Sequence, residues 1–235
     1  MKRLLLVLLL SGCIGKASIG EPEIMDFKIK TSDGVKIAGT FYESKADNPA
    51  GVVLLHMLNR DRRDWDSFAR ALQASGYAVV AIDLRGHGDS DLDWRDFADE
   101  DFRKMVEDVD VAVKYLKKQG IASDKISLIG ASIGANVALE YASQNGNVRS
   151  LVLLSPGVDY RGLRADEAIE EYDGPVLIVA SEEDVYSTQS SQILFEKAVG
   201  EKKLEVLKNA GHGTKMFSDP NLGYLILRWL EDTAS

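Results

Sequence analysis

The chain predicts an α/β architecture in which an eight-stranded, mostly parallel sheet is flanked by helices. Three observations carry this. From residue 24 onward, apolar runs of strand length alternate with segments of helical period. Around Gly130-Ala131-Ser132-Ile133-Gly134 an apolar run gives way at once to a helical pattern, which reads as a strand, a sharp turn and a helix. The composition, 235 residues with 45% hydrophobic and 28% charged, suits one sizeable core and is short for two domains.

The elements follow in order. Residues 24–30 and 35–42 flank Thr31-Ser32-Asp33-Gly34, a turn sequence, and read as an antiparallel hairpin. Residues 51–56 read as a buried strand, about 64–75 as a helix, 77–82 as a strand and about 99–119 as a helix. In that last helix Phe102, Met105, Val106, Val109, Val113 and Leu116 share one face and the charged residues take the other. A strand ends at Gly130, and a helix follows Ser132 to about Gln144. Strands at 149–154 and 175–180, a helix about 188–199, a strand at 203–207 and a helix about 219–230 complete the pattern. The one long insertion, 155–174, holds a helical stretch at 163–172. It can roof part of a site but cannot build a cap domain, so a minimal cap is expected.

The N-terminus carries a different signal. Met1-Lys2-Arg3 followed by apolar residues 4–10 is a secretory signal pattern, too short to span a bilayer as a helix. Leu10-Ser11-Gly12-Cys13 resembles the lipobox at which prokaryotic lipoproteins are cleaved before a cysteine that becomes acylated. Cys13 is the only cysteine, so no internal disulfide can form. The expected organisation is a signal peptide over 1–12, lipidated Cys13 and a tether over 13–23, and a catalytic domain over 24–235. Such a protein is extracytoplasmic and membrane-anchored, or secreted if Cys13 is not acylated. The formal charge of −9 is spread along the chain with no basic stripe, so nucleic acid is not an expected partner.

A serine between small residues at a strand–helix turn is the setting of a nucleophile elbow. A serine hydroxyl needs a base, and the base needs a group to hold its tautomer, usually a carboxylate. Downstream, Asp184 follows the strand at 175–180 and His212 follows the strand at 203–207 within Asn209-Ala210-Gly211-His212-Gly213. Each candidate lies just past the carboxyl end of a strand, where catalytic groups gather in open parallel sheets. Rival acids are Glu183, one residue away, and Asp159 after the preceding strand. His87 is expected to shape a loop near the site and His56 to stand behind it. Arg60-Asp61-Arg62-Arg63 could grip a substrate carboxylate or form a solvated loop neutralised by Asp61 and Asp64. The Asp-rich stretch 89–101, with Trp94 and Phe97, reads as a loop at the mouth of the site or a docking surface.

From about residue 24 to the end the chain resembles the α/β-hydrolase superfamily, in particular its dienelactone-hydrolase-like or small serine esterase branch. The resemblance rests on the Ser132, Asp184, His212 order, on Leu54-Leu55-His56-Met57, on Asp64-Trp65, and on Ala81-Ile82-Asp83-Leu84-Arg85-Gly86-His87-Gly88-Asp89-Ser90. It implies a serine hydrolase acting on small-molecule carboxylic esters through an acyl-enzyme, with the backbone N–H groups of Met57 and Ile133 as oxyanion hole. His56-Met57 stands where relatives commonly have His-Gly, and Ser132 stands where dienelactone hydrolases proper have cysteine. The chemistry requires no metal and no organic cofactor, and no CxxC, HExxH or phosphate-cradling Gly-rich motif occurs. A thioesterase, amidase or peptidase would use the same triad, and an idle binding domain would keep the fold without the chemistry.

Overall fold

A computed structural model describes residues 22–233; the expected signal peptide, Cys13 and most of the expected tether lie outside the described residues. The strands are β1 (Ile24–Lys30), β2 (Lys36–Tyr42), β3 (Gly51–Leu55), β4 (Ala78–Ile82), β5 (Ile126–Ala131), β6 (Leu151–Leu154), β7 (Val176–Ser181) and β8 (Lys202–Leu207). They form one sheet in the order β1-β2-β4-β3-β5-β6-β7-β8. The β1–β2 hairpin is antiparallel and β2 pairs antiparallel with β4; from β4 to β8 every pairing is parallel.

The helices are α1 (Asp66–Ala74), α2 (Asp99–Arg103), α3 (Val106–Lys118), α4 (Ile133–Asn145), α5 (Ala165–Glu171), α6 (Val185–Lys197) and α7 (Leu222–Asp232). Side chains alternate across each strand, so the central strands feed two cores. Val53, Leu55, Val80, Ile82, Leu128, Leu153 and Ile178 pack with Met105, Val109, Leu116 and Ala138 of α3 and α4 and their approach. Val52, Leu54, Val79, Ile129, Val152 and Val179 pack on the other face with Phe68 and Leu72 of α1 and Ile226 and Trp229 of α7. Burial on both faces is why these strands read as continuous apolar runs.

Three expectations are corrected. The helix predicted over about 99–119 is two helices, joined at Lys104 and Met105 through tight three-residue turns in which Met105, Glu107 and Asp108 donate to Phe102, Lys104 and Met105. Asp108, expected on the solvent face of that helix, is fully buried because Arg85 meets it there, donating from its backbone N–H at 2.7 Å and from Nε at 2.9 Å. The helix expected from about 188 begins at Val185, so Asp184 itself caps α6.

Candidate active site

A sharp strand-to-helix switch between β5 and α4 puts Ser132 at φ 54° and ψ −123°, a left-handed backbone for a residue with a side chain. Such a conformation costs about 1–3 kcal/mol and persists only where its surroundings hold it. Here they do: Ser132 N–H donates to the Leu154 carbonyl at 2.8 Å, and α4 packs directly on the β3 end. A Cβ on Gly134 would lie 2.6 Å from the carbonyl oxygens of Leu55 and His56, so glycine is required for that approach. Gly134 therefore draws the N-terminus of α4 toward the loop after β3. Ile133, the first residue of α4, carries one of the backbone N–H groups that a helix leaves without an internal acceptor.

Asp184 and His212 are brought together, with Asp184 Oδ2 2.5 Å from His212 Nδ1. A carboxylate can only accept, so Nδ1 carries the proton in this bond and Nε2 is the ring nitrogen left for another partner. Three contacts hold the His212 loop, and sequence reasoning found none of them. Gly213 N–H donates to Ser155 Oγ at 2.9 Å, Ala210 N–H to Ser181 Oγ at 2.9 Å, and Gly211 N–H to Glu183 Oε1 at 2.6 Å. Glu183 is thereby a tie between the acid and base loops, also accepting from Ser181 Oγ at 2.6 Å. The other rival acid, Asp159, accepts from Gly162 N–H at 2.8 Å within its own turn. A residue pattern could have flagged Glu183 only as a competitor, since its long-range partner is the Gly211 backbone amide.

Met57 occupies the loop after β3 with its side chain buried. Its thioether packs against Gly213 and Thr214, next to the base, and so fills space beneath the His212 loop. His56, behind it, is fully buried and doubly bonded: Nδ1 donates to the Met57 carbonyl at 2.7 Å and Nε2 accepts from Leu84 N–H at 3.0 Å. Burial pushes its pKa down to about 4, against the smaller upward pull of the Met57 carbonyl, Asp61 and Asp64. His87 lies 4.9 Å from His56 ring to ring and stacks on Trp94. Burial, helped by His56, depresses it to about 4 as well.

The arginine cluster divides. Arg62 turns inward and pairs with buried Asp83, with Asp89 alongside at 3.0 Å; Arg60 and Arg63 turn outward and pair with Asp64 at 2.5 Å and Asp89 at 2.7 Å. The outward pair lines a cavity of about 540 Å³ with Trp94, Arg95 and His87 beside the loop after β3, while Phe97 packs edge-on against Phe102. Among the described residues, no group of three or more His, Cys, Asp or Glu is placed to hold a metal ion.

Residues 46–168, just over half of the chain, match the family model described as Serine aminopeptidase, S33. The chain belongs to that family. Ser132 and the loop after β3 fall inside the matched stretch, and Asp184 and His212 lie beyond it. Thiohydrolase aneE of Aspergillus aculeatus is 25% identical over 222 residues, covering 91% of this chain, which spans 65% of that protein's length. The bifunctional esterase/perhydrolase of Acinetobacter calcoaceticus is 33% identical over 132 residues, 54% of this chain and 43% of that protein. Among solved structures, a dienelactone hydrolase from Anabaena variabilis superposes with a TM-score of 0.75 at 19% identity, covering 91% of this chain and 99% of that one. These likenesses and the sheet order agree on an α/β-hydrolase fold.

Proposed function

We propose that this α/β hydrolase cleaves carboxylic esters through an acyl-enzyme, with Ser132 as nucleophile, His212 as base and Asp184 as its orienting acid. The observation that carries the reading is the 2.5 Å bond between His212 Nδ1 and Asp184, found in the same molecule as a serine held in elbow geometry. Ser132 Oγ attacks the ester carbonyl while His212 Nε2 takes its proton and then returns it to the leaving oxygen. Asp184 keeps the proton on Nδ1 and stabilises the imidazolium as it forms. The N–H groups of Ile133 and Met57 receive the developing oxyanion, each worth on the order of 10²–10³ in rate where such donors have been removed. Water then attacks the acyl-enzyme by the reverse proton path.

A thioester substrate is the second reading, and the similarity to a thiohydrolase over nine-tenths of this chain favours it. The test is hydrolysis of p-nitrophenyl esters and acyl thioesters by wild type, Ser132→Ala and His212→Ala, with fluorophosphonate labelling of Ser132. Turnover and labelling that vanish in Ser132→Ala support the reading; a wild type that neither labels nor turns over any ester overturns it. We further propose that Cys13 is acylated after removal of residues 1–12 and that residues 13–23 tether the catalytic domain to a membrane. Intact mass of membrane-extracted protein tests this, and unmodified Cys13 in the mature chain refutes it.

A further inference from the structure

The insertion after β6 contains a rigid hairpin that the proposed reaction does not use. Tyr160 and Leu163 pair across Arg161-Gly162, both in left-handed backbone at φ 56° and 80°, and Asp159 accepts from Gly162 N–H. Asn136, buried in α4 one turn after Ser132, clamps this hairpin. Its amide donates to the carbonyls of Gly157 and Leu163, each at 2.9 Å, and accepts from Gly157 N–H at 3.1 Å. The helix that carries the nucleophile thus also sets the hairpin's position.

What the hairpin presents is Tyr160. Its half-buried ring presses with Tyr186 on Gly157, where a Cβ would lie 2.8 Å from either ring, and the two rings are 5.6 Å apart. Its hydroxyl is 3.3 Å from Ser187 Oγ and close enough to Ser132 and Asp184 for both to bear on its proton affinity. Burial raises that affinity, so the group remains an O–H donor at neutral pH. The long bond to Ser187 is easily exchanged for a better acceptor.

Direction follows from strand order. An ester carbonyl on Ser132 must turn its oxygen toward Ile133 and Met57, on the β3 side of β5, and its leaving group toward His212. The acyl chain takes the space nearest Ser132 on the other side of β5, where the hairpin leaves the adjacent strand β6, while the His212 loop follows β8 two strands further out.

We infer that Tyr160 lines the acyl site and donates a hydrogen bond to a hydroxyl or oxo group on the second or third carbon of a short acyl chain, making polar short-chain acyl esters the preferred substrates. This rests on the serine hydrolase reading above. The experiment compares kcat/KM for p-nitrophenyl butyrate, 2-hydroxybutyrate, 3-hydroxybutyrate and octanoate in wild type, Tyr160→Phe and Tyr160→Ala. Wild type should favour the better hydroxylated ester over butyrate by about tenfold, the order one neutral hydrogen bond supplies. Tyr160→Phe should bring that ratio to about one, and Tyr160→Ala should raise octanoate relative to butyrate. A wild type without the preference, or a Tyr160→Phe variant that keeps it, overturns the inference alone. A wild type that turns over none of these esters and takes no fluorophosphonate overturns the serine hydrolase reading, and this one with it.

Discussion

His87→Gln should make the fold less sensitive to acid. In the folded protein burial holds the His87 imidazole near pKa 4, whereas an unfolded chain returns it to about 6.5. Between those values the unfolded state binds more protons, so stability contributed by the neutral ring is present above about pH 6.5 and is lost as pH falls toward 4. From pH 8 to pH 5 the shift amounts to about 2 kcal/mol for this one ring. Protonation is unwelcome for visible reasons. His87 Nδ1 already donates to the Arg85 carbonyl at 3.0 Å, and the buried Nε2 has no acceptor to offer a second proton. Asp83 pulls the other way, while neighbouring His56 and Arg95 add to the depression. Other groups titrate in the same window. Asp108, raised to about 7 by burial against the pull of Arg85, has the opposite sign, gaining stability as pH falls. The comparison is therefore between two proteins rather than two pH values: glutamine can still donate to Arg85 but takes up no proton. Urea unfolding at pH 8 and pH 5 reads it. With m near ~2 kcal/mol/M, the wild-type midpoint should lose about 1 M more than the variant's over that range. Equal midpoint changes in both proteins would refute the assignment of a depressed, buried imidazole at 87.

Four further outcomes are expected. Asp184→Asn should lower kcat by roughly 10⁴ with the fold intact by circular dichroism, since the amide favours the wrong imidazole tautomer. Glu183→Gln, which keeps an acceptor for Gly211 and Ser181, should cost far less in the same assay. Gly134→Ala should destabilise by about 1–3 kcal/mol in urea and depress kcat, because the backbone atoms its Cβ meets cannot yield without moving Ile133. Asp83→Asn should destabilise by less than the ~3–5 kcal/mol of a fully broken buried pair, since Arg62 loses its buried partner but keeps Asp89 at 3.0 Å; thermal unfolding checks it.

Much of this was legible in the residues because the sheet is buried on both faces. Val52 to Leu55 and Val79 to Ile82 are apolar at every position, so strand length and place could be read without knowing partners. The proposed nucleophile was legible because Gly130 and Gly134 answer to local packing. What was not legible depends on residues far apart in the chain. Asp108 looks solvent-facing by helical period, and only Arg85, 23 positions away, makes its burial tolerable. The break before α3 and the start of α6 at Val185 turn on local backbone turns and shift by a few residues without changing the apolar pattern. Glu183 reaches the His212 loop through the Gly211 backbone amide, which leaves no mark in sequence. Tyr160 reads only as part of an insertion, since Ser187, which its hydroxyl meets, and Asn136, which holds the hairpin, come from two other helices.

The Asn136 clamp has a consequence for how this protein can change. Its three bonds grip only main-chain atoms of residues 157 and 163, so the side chains between them contribute nothing to the grip. Positions 158 and 160 can therefore vary while the loop stays docked at the same height above the serine, whereas Asp159, which accepts from Gly162 N–H, and Arg161, in left-handed backbone, shape the turn itself. Selectivity becomes a replaceable fitting on a fixed mount, and a library confined to those two positions would explore new substrates while leaving the mount in place.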